Sequence, residues 1–128
     1  MESVLSIKNL TKKYGRITAV NNLSLEIQKG TVFGLLGPNG SGKTTTLGII
    51  LDVINKTEGE YSWFGEKPSK VHRKKIGAIL ENPIFYPYLS ASDNLKIVAK
   101  IKEVSEDNID KVLDQVGLLE RKDDKFKT

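Results

Sequence analysis

The chain has 128 residues and no cysteine, which excludes disulfides and thiolate-bound metals and suits a reducing compartment. It holds one histidine, His72, set in a charged connection where a surface position is expected. No apolar run approaches the roughly 18–20 residues that cross a bilayer, so any membrane role has to come through a partner. Around Met1-Glu2-Ser3-Val4 there is no basic region followed by an apolar block, and no secretory signal is read there. Repeats and low-complexity tracts are also missing. The net charge of +4 is scattered. Its clusters, Lys12-Lys13 and Arg73-Lys74-Lys75, are too short for a nucleic-acid strip and read as solvated surface. The length suits one domain with a real core.

What the chain does have is Gly37-Pro38-Asn39-Gly40-Ser41-Gly42-Lys43-Thr44, a match to the phosphate-binding loop at every fixed position. Glycines let the backbone wrap until its N–H groups point at phosphate oxygens. Lys43 brings a cation to the β- and γ-phosphates, and Thr44 offers a hydroxyl to Mg²⁺. A helix opening here turns its partly positive N-terminus to the same anion. The context fits: apolar Thr31 to Leu36 predicts a buried strand before the loop, and Leu47, Ile50 and Leu51 predict a helix after it.

Alternation predicts strands around Val4–Asn9 and Val20–Ile27, with Thr11–Arg16 as a turn. A short aromatic strand ending in a turn is expected over Gly59–Gly65, and another strand over Lys75–Leu80, stopped by Glu81-Asn82-Pro83. From Ser90 the period becomes helical. Leu95, Val98, Ala99 and Lys102 share one face, with Ser92 or Asp93 as the cap. Ile109, Val112, Leu113 and Val116 make a second amphipathic repeat, capped by Ser105–Asp107 and stopped by Gly117. The polar run Glu120–Thr128 predicts no element.

Tyr14 before a small antiparallel sheet, the loop Gly37–Thr45, a strand ending in Glu81-Asn82-Pro83, then Tyr88–Leu95 and two helices fall in an order that resembles the nucleotide-binding domain of ABC transporters. The resemblance covers the whole chain, and Pro38, Asn39 and Ser41 suit that family among phosphate-loop proteins. It implies an α/β, partial P-loop NTPase fold. An N-terminal antiparallel β subdomain with the phosphate-loop strand and helix would form an ATP-binding core over 1–89. The start of a helical subdomain would occupy 90–128.

The resemblance also implies roles, with ATP and Mg²⁺ as cofactors. Tyr14 would stack on adenine, or else pack at the sheet edge. Val20 would line the same pocket, or else serve as plain core. Asn39, Gly40, Ser41, Gly42, Lys43, Thr44 and Thr45 would hold the phosphates, with Thr44 on Mg²⁺. Glu81 stands where the family usually has Gln, touching Mg²⁺ and the attacking water; Lys43 and Glu81 would be the catalytic pair. A carboxylate there is a hard oxygen ligand that also adds negative charge near the γ-phosphate. The Glu-Asn-Pro form resembles a branch with bacitracin-resistance and antimicrobial-peptide exporters.

The implied partners are a transmembrane permease subunit and a second nucleotide-binding domain, with no nucleic acid. The implied place is the cytoplasmic face of the cell membrane, reached through the permease. The family's Ser-Gly-Gly-rich signature, its apolar strand ending in Asp-Glu and its later His do not follow Glu120. The chain is therefore expected to correspond to the first half of such a domain, to bind nucleotide weakly and to hydrolyse little or none alone. Open strand edges around Val32–Leu36 are expected to make it marginally stable or to pair it with a second copy. The other readings are a non-catalytic nucleotide-binding or regulatory fragment, and a different phosphate-loop enzyme such as a GTPase or small-molecule kinase. Asn55-Lys56-Thr57-Glu58 echoes a guanine-reading motif but comes too soon after the loop helix, and Tyr14 favours adenine.

Overall fold

A computed structural model describes residues 2–82 and 84–127; Met1, Pro83 and Thr128, named in the readings above, lie outside the described residues. The chain forms two compact units, residues 1–72 and 73–128.

The first unit is built on three antiparallel strands, β1 (Ser3–Tyr14), β2 (Ile17–Gln28) and β3 (Glu58–Trp63), in the order β2-β1-β3. Leu5 and Ile7 point into the core, as alternation requires, yet so does Leu10, on the opposite parity. The switch is made at Asn9. Its φ of 51° is left-handed, a region asparagine tolerates, and the β1–β2 register shifts between Ile7 and Leu10. Asn9 N–H donates to Ser24 Oγ at 2.9 Å, which fixes the irregularity. The strand then continues to Tyr14, correcting the turn expected from Thr11. The irregularity at Asn9 restores an apolar side chain to the core, and it is one of several register shifts along β1. The chain reverses at Gly15 and Arg16, with Tyr14 paired to Ile17. A second tight reversal follows β3, where Phe64 and Gly65 both have positive φ and Trp63 and Glu66 exchange backbone hydrogen bonds.

One helix, α1 (Lys43–Ile50), packs on the sheet. Leu5, Ile7 and Leu10 meet Ile49 and Ile50, with Leu23, Leu25, Ile54, Tyr61 and Trp63 around them. Burial of such side chains stabilises by about 1.5–3 kcal/mol each. Trp63 Nε1–H donates to Ile50 O at 2.9 Å, satisfying a carbonyl at the end of α1.

Two expected strands are not formed. Thr31–Leu36 makes no ladder, and Val32 and Leu36 are almost fully exposed. The strand expected over Lys75–Leu80 is also not formed: Lys75 ends a helix, residues 76–80 make no ladder, and Ile79 is exposed. Apolar composition marks a segment as suited to a sheet, but a strand exists only where neighbours take its hydrogen bonds.

His72 also differs from expectation. It lies on α2 (Lys70–Lys75), within the stretch read as a connection, and is only 4% exposed. Ser69 Oγ lies 3.1 Å from Nδ1 and Glu66 Oε2 lies 3.0 Å from Nε2, while the ring leans on Phe64. Burial is tolerated because both ring nitrogens are satisfied.

The second unit holds α3 (Ala91–Lys102) and α4 (Ile109–Gln115), each as the helical period predicts. The cap of α3 is Ser90, not Ser92 or Asp93: Ser90 Oγ accepts from Asp93 N at 3.0 Å. Ser90→Ala should therefore lower stability by about 1 kcal/mol while Ser92→Ala changes it little, as urea unfolding would read. Ser105 accepts from Asp107 N ahead of α4, and Gly117, at φ 72°, stops it. Asn94 is buried and gathers the preceding loop, accepting from Tyr86 N–H and donating to the carbonyls of Tyr86 and Ser90. The polar tail, read as featureless, makes a 3₁₀ turn at Leu119–Arg121 and returns beside α3, with Phe126 N–H donating to Leu89 O at 3.1 Å.

Candidate phosphate-binding site

The site is built where the chain passes from the coil before Gly37 into α1. Pro38 O accepts from Ser41 N–H at 3.1 Å, closing a turn over Asn39 and Gly40. Gly40 takes φ 82° and Gly42 φ 95°, left-handed values that suit glycine. Gly42 is the N-cap of α1, and a Cβ there would stand 2.3 Å from Ala19 O of β2. The loop thus rests directly on the sheet backbone, which fixes where the helix starts.

Lys43 folds back across the turn. Its ammonium donates to Gly37 O, to Pro38 O at 2.7 Å and to Ser41 Oγ at 3.2 Å. A cation is therefore held in the middle of the loop by neutral oxygens. No acidic residue stands in the first turn of α1 to compete for it. Helix N-terminus, left-handed glycines and ammonium converge on one exposed spot, an arrangement that attracts a phosphate-like anion.

Thr44 is exposed, with no hydrogen bond of its hydroxyl to a described residue, and Thr45 is half-buried. Asn39, Gly40 and Ser41 are exposed. Thr46, to which sequence reasoning gave no role, is buried, and its Oγ1 donates to Gly42 O at 2.8 Å alongside its own N–H at 2.9 Å. This doubled bond pins the carbonyl beneath the loop. The run Thr44-Thr45-Thr46 was the available signal, since a threonine inside the first turn of a helix can bond back to a carbonyl four residues earlier.

Val20 is buried, and its Cγ2 lies 3.4 Å from where a Gly42 Cβ would stand, so it supports the loop from the sheet. Tyr14 is half-exposed at the hairpin tip, with the Lys12 ammonium 4.7 Å above its ring centre. Glu81 belongs to the other unit and is exposed. Among the described residues, no group of three histidine, aspartate or glutamate side chains could hold a metal ion by itself. No helix among them is long and apolar enough to cross a membrane.

The sequence pattern of the ABC transporter family matches residues 20–128. The chain is similar to SrtF, a lantibiotic transport ATP-binding protein of Streptococcus pyogenes. The two are 44% identical over 115 residues, which is 90% of this chain and 50% of that protein. It is 41% identical over 126 residues to BcrA, a bacitracin transport ATP-binding protein of Enterococcus faecalis, covering 95% of this chain and 41% of the relative. A solved ATP-binding subunit of an ABC transporter superposes with a TM-score of 0.85 at 23% identity, over 95% of this chain and 54% of its own length, which shows a shared fold. The chain spans about half the length of the curated relatives it matches.

Proposed function

We propose that this chain, which belongs to the ABC transporter family, is the nucleotide-holding part of an ATP-binding subunit that couples Mg-ATP to transport across a membrane. The observation that carries the reading is the loop itself: a lysine ammonium held inside a glycine turn at a helix N-terminus, resting on a sheet.

In this reading Lys43 exchanges the carbonyls of Gly37 and Pro38 for phosphate oxygens. The backbone from Gly40 to Thr45 donates to the same phosphates, with Asn39 and Ser41 flanking them. Thr44 would give a hydroxyl to Mg²⁺, with phosphate and water supplying ligands beside Thr44 and Glu81, in keeping with how that ion is usually held. Glu81 is assigned to the metal and the attacking water. Tyr14 stacks on adenine at the hairpin tip, and Val20 holds the loop from below. The bound ion supplies charge neutralisation at the phosphates.

Phosphoryl transfer to water needs a positioned nucleophile as well as a cradle. These 128 residues carry the cradle and Glu81 but not the signature, the Asp-Glu strand or the later His that the family resemblance implies, so the chain alone is assigned binding with little or no turnover. In the whole protein the subunit pairs with a second copy and with a transmembrane permease at the cytoplasmic face. The names of SrtF and BcrA support an antimicrobial peptide or drug as the exported substrate.

Titration with a fluorescent ATP analogue in Mg²⁺, followed by competition, tests this. Saturable binding displaced better by ATP than by GTP is expected, and absence of saturable binding overturns the reading. Tyr14→Ala should weaken ATP about tenfold, the loss of one base–aromatic stack.

A further inference from the structure

Asn39 is followed by Gly40, and it is the only one of the chain's asparagines with glycine after it. The pair lies at the tip of the phosphate-loop turn, exposed, with no hydrogen bond from the Asn39 amide or the Gly40 N–H to a described residue. A Cβ placed on Gly40 would meet nothing within 4 Å, so the turn tip is open to solvent on that side. We infer that Asn39 is a self-modification site, at which the nucleotide-free loop deamidates and thereby lowers its own affinity for nucleotide.

The chemistry uses water alone as co-reactant. The Gly40 backbone nitrogen gives its proton to solvent and attacks Asn39 Cγ. The new N–Cγ bond replaces the Cγ–Nδ2 bond, and the amide nitrogen leaves as ammonia. The resulting five-membered imide then adds water. Opening on one side leaves an aspartate at position 39; opening on the other leaves an isoaspartyl linkage, with the main chain routed through the side-chain carbon. Glycine permits this because no Cβ crowds the attacking nitrogen. Either product puts a carboxylate beside the spot on which Lys43 and the α1 N-terminus converge, and the isoaspartyl form also lengthens the turn. One negative charge added to the loop should weaken a phosphate ligand about tenfold.

The affinity part of this inference rests on the function proposed above; the chemistry part does not. Bound phosphate would occupy the Gly40 N–H and stop cyclisation, so nucleotide should protect the site that it fills.

The test ages the purified chain in mildly alkaline buffer with and without Mg-ATP. Peptide mass spectrometry then reads conversion at each asparagine, and a fluorescent ATP analogue reads binding before and after. Conversion at Asn39 should outrun that at exposed Asn55, which precedes lysine, and at buried Asn94. Mg-ATP should slow it, the aged sample should bind about tenfold more weakly, and Asn39→Asp should show the same loss at once. Conversion at Asn39 no faster than at Asn55 overturns the inference, and with fresh protein still binding nucleotide the proposed function stands. Fast conversion in fresh protein that binds no nucleotide upholds the modification site and overturns the proposed function together with the affinity switch.

Discussion

Replacing Lys43 with alanine should lower affinity for Mg-ATP about 100-fold and leave the thermal midpoint almost unchanged. The binding loss follows from removing a cation that would make charge-assisted hydrogen bonds to phosphate, each worth about 1.5–3 kcal/mol. The unchanged midpoint follows from the structure. Every partner of the ammonium lies within six residues of Lys43, on the exposed turn, so water replaces it when it goes. Isothermal titration and a melt of the same sample read both quantities. Binding equal to wild type would mean that nucleotide is held elsewhere. A large fall in midpoint would mean that the lysine serves the fold.

Gly42→Ala should do the opposite, damaging fold and site together. The added methyl would stand 2.3 Å from Ala19 O and 3.4 Å from Val20 Cγ2, at a φ of 95° that alanine rarely adopts. Neither neighbour can withdraw: one is strand backbone and the other a buried side chain. Relief requires the N-terminus of α1 to lift from β2, which costs about 2–4 kcal/mol and moves the thermal midpoint down by about 10 °C. Since the loop moves with the helix, nucleotide binding should fall more than about tenfold. A variant melting like wild type would show that the loop does not rest on the sheet in solution.

These two residues show what was legible in the sequence. The loop could be read because its chemistry is local: glycine, lysine and threonine at fixed spacing carry their reasons with them. The helices α3 and α4 were legible because an amphipathic period is also local. The burial of Leu10 was not, since it depends on a left-handed residue at Asn9 that shifts the β1 register, and alternation gives no warning of it. The cap of α3 lies at Ser90, two residues before Ser92, because both offer the same hydroxyl and only the folded backbone selects between them. His72 was misplaced at the surface because its burial rests on Ser69, Glu66 and Phe64 closing around it.

The apolar stretch before the loop teaches the converse. Thr31–Leu36 has the composition of a buried strand and lies exposed, since pairing is a property of neighbours rather than of a segment. Val32, Phe33 and Leu36 form an apolar surface on the same chain segment that leads into the site. The expected pairing with a second copy can therefore be checked by sedimentation across concentration. Association that weakens in Val32→Lys would support it, and a monomer at every concentration would contradict it.

The account's central claim is that this loop holds nucleotide phosphate. Amide hydrogen exchange with and without Mg-ATP tests it most directly, because it reports both whether nucleotide binds and where. The account predicts slowed exchange concentrated from Gly40 to Thr46, lost in Lys43→Ala. Unchanged exchange across those residues at saturating Mg-ATP, or protection confined to another part of the chain, would contradict it.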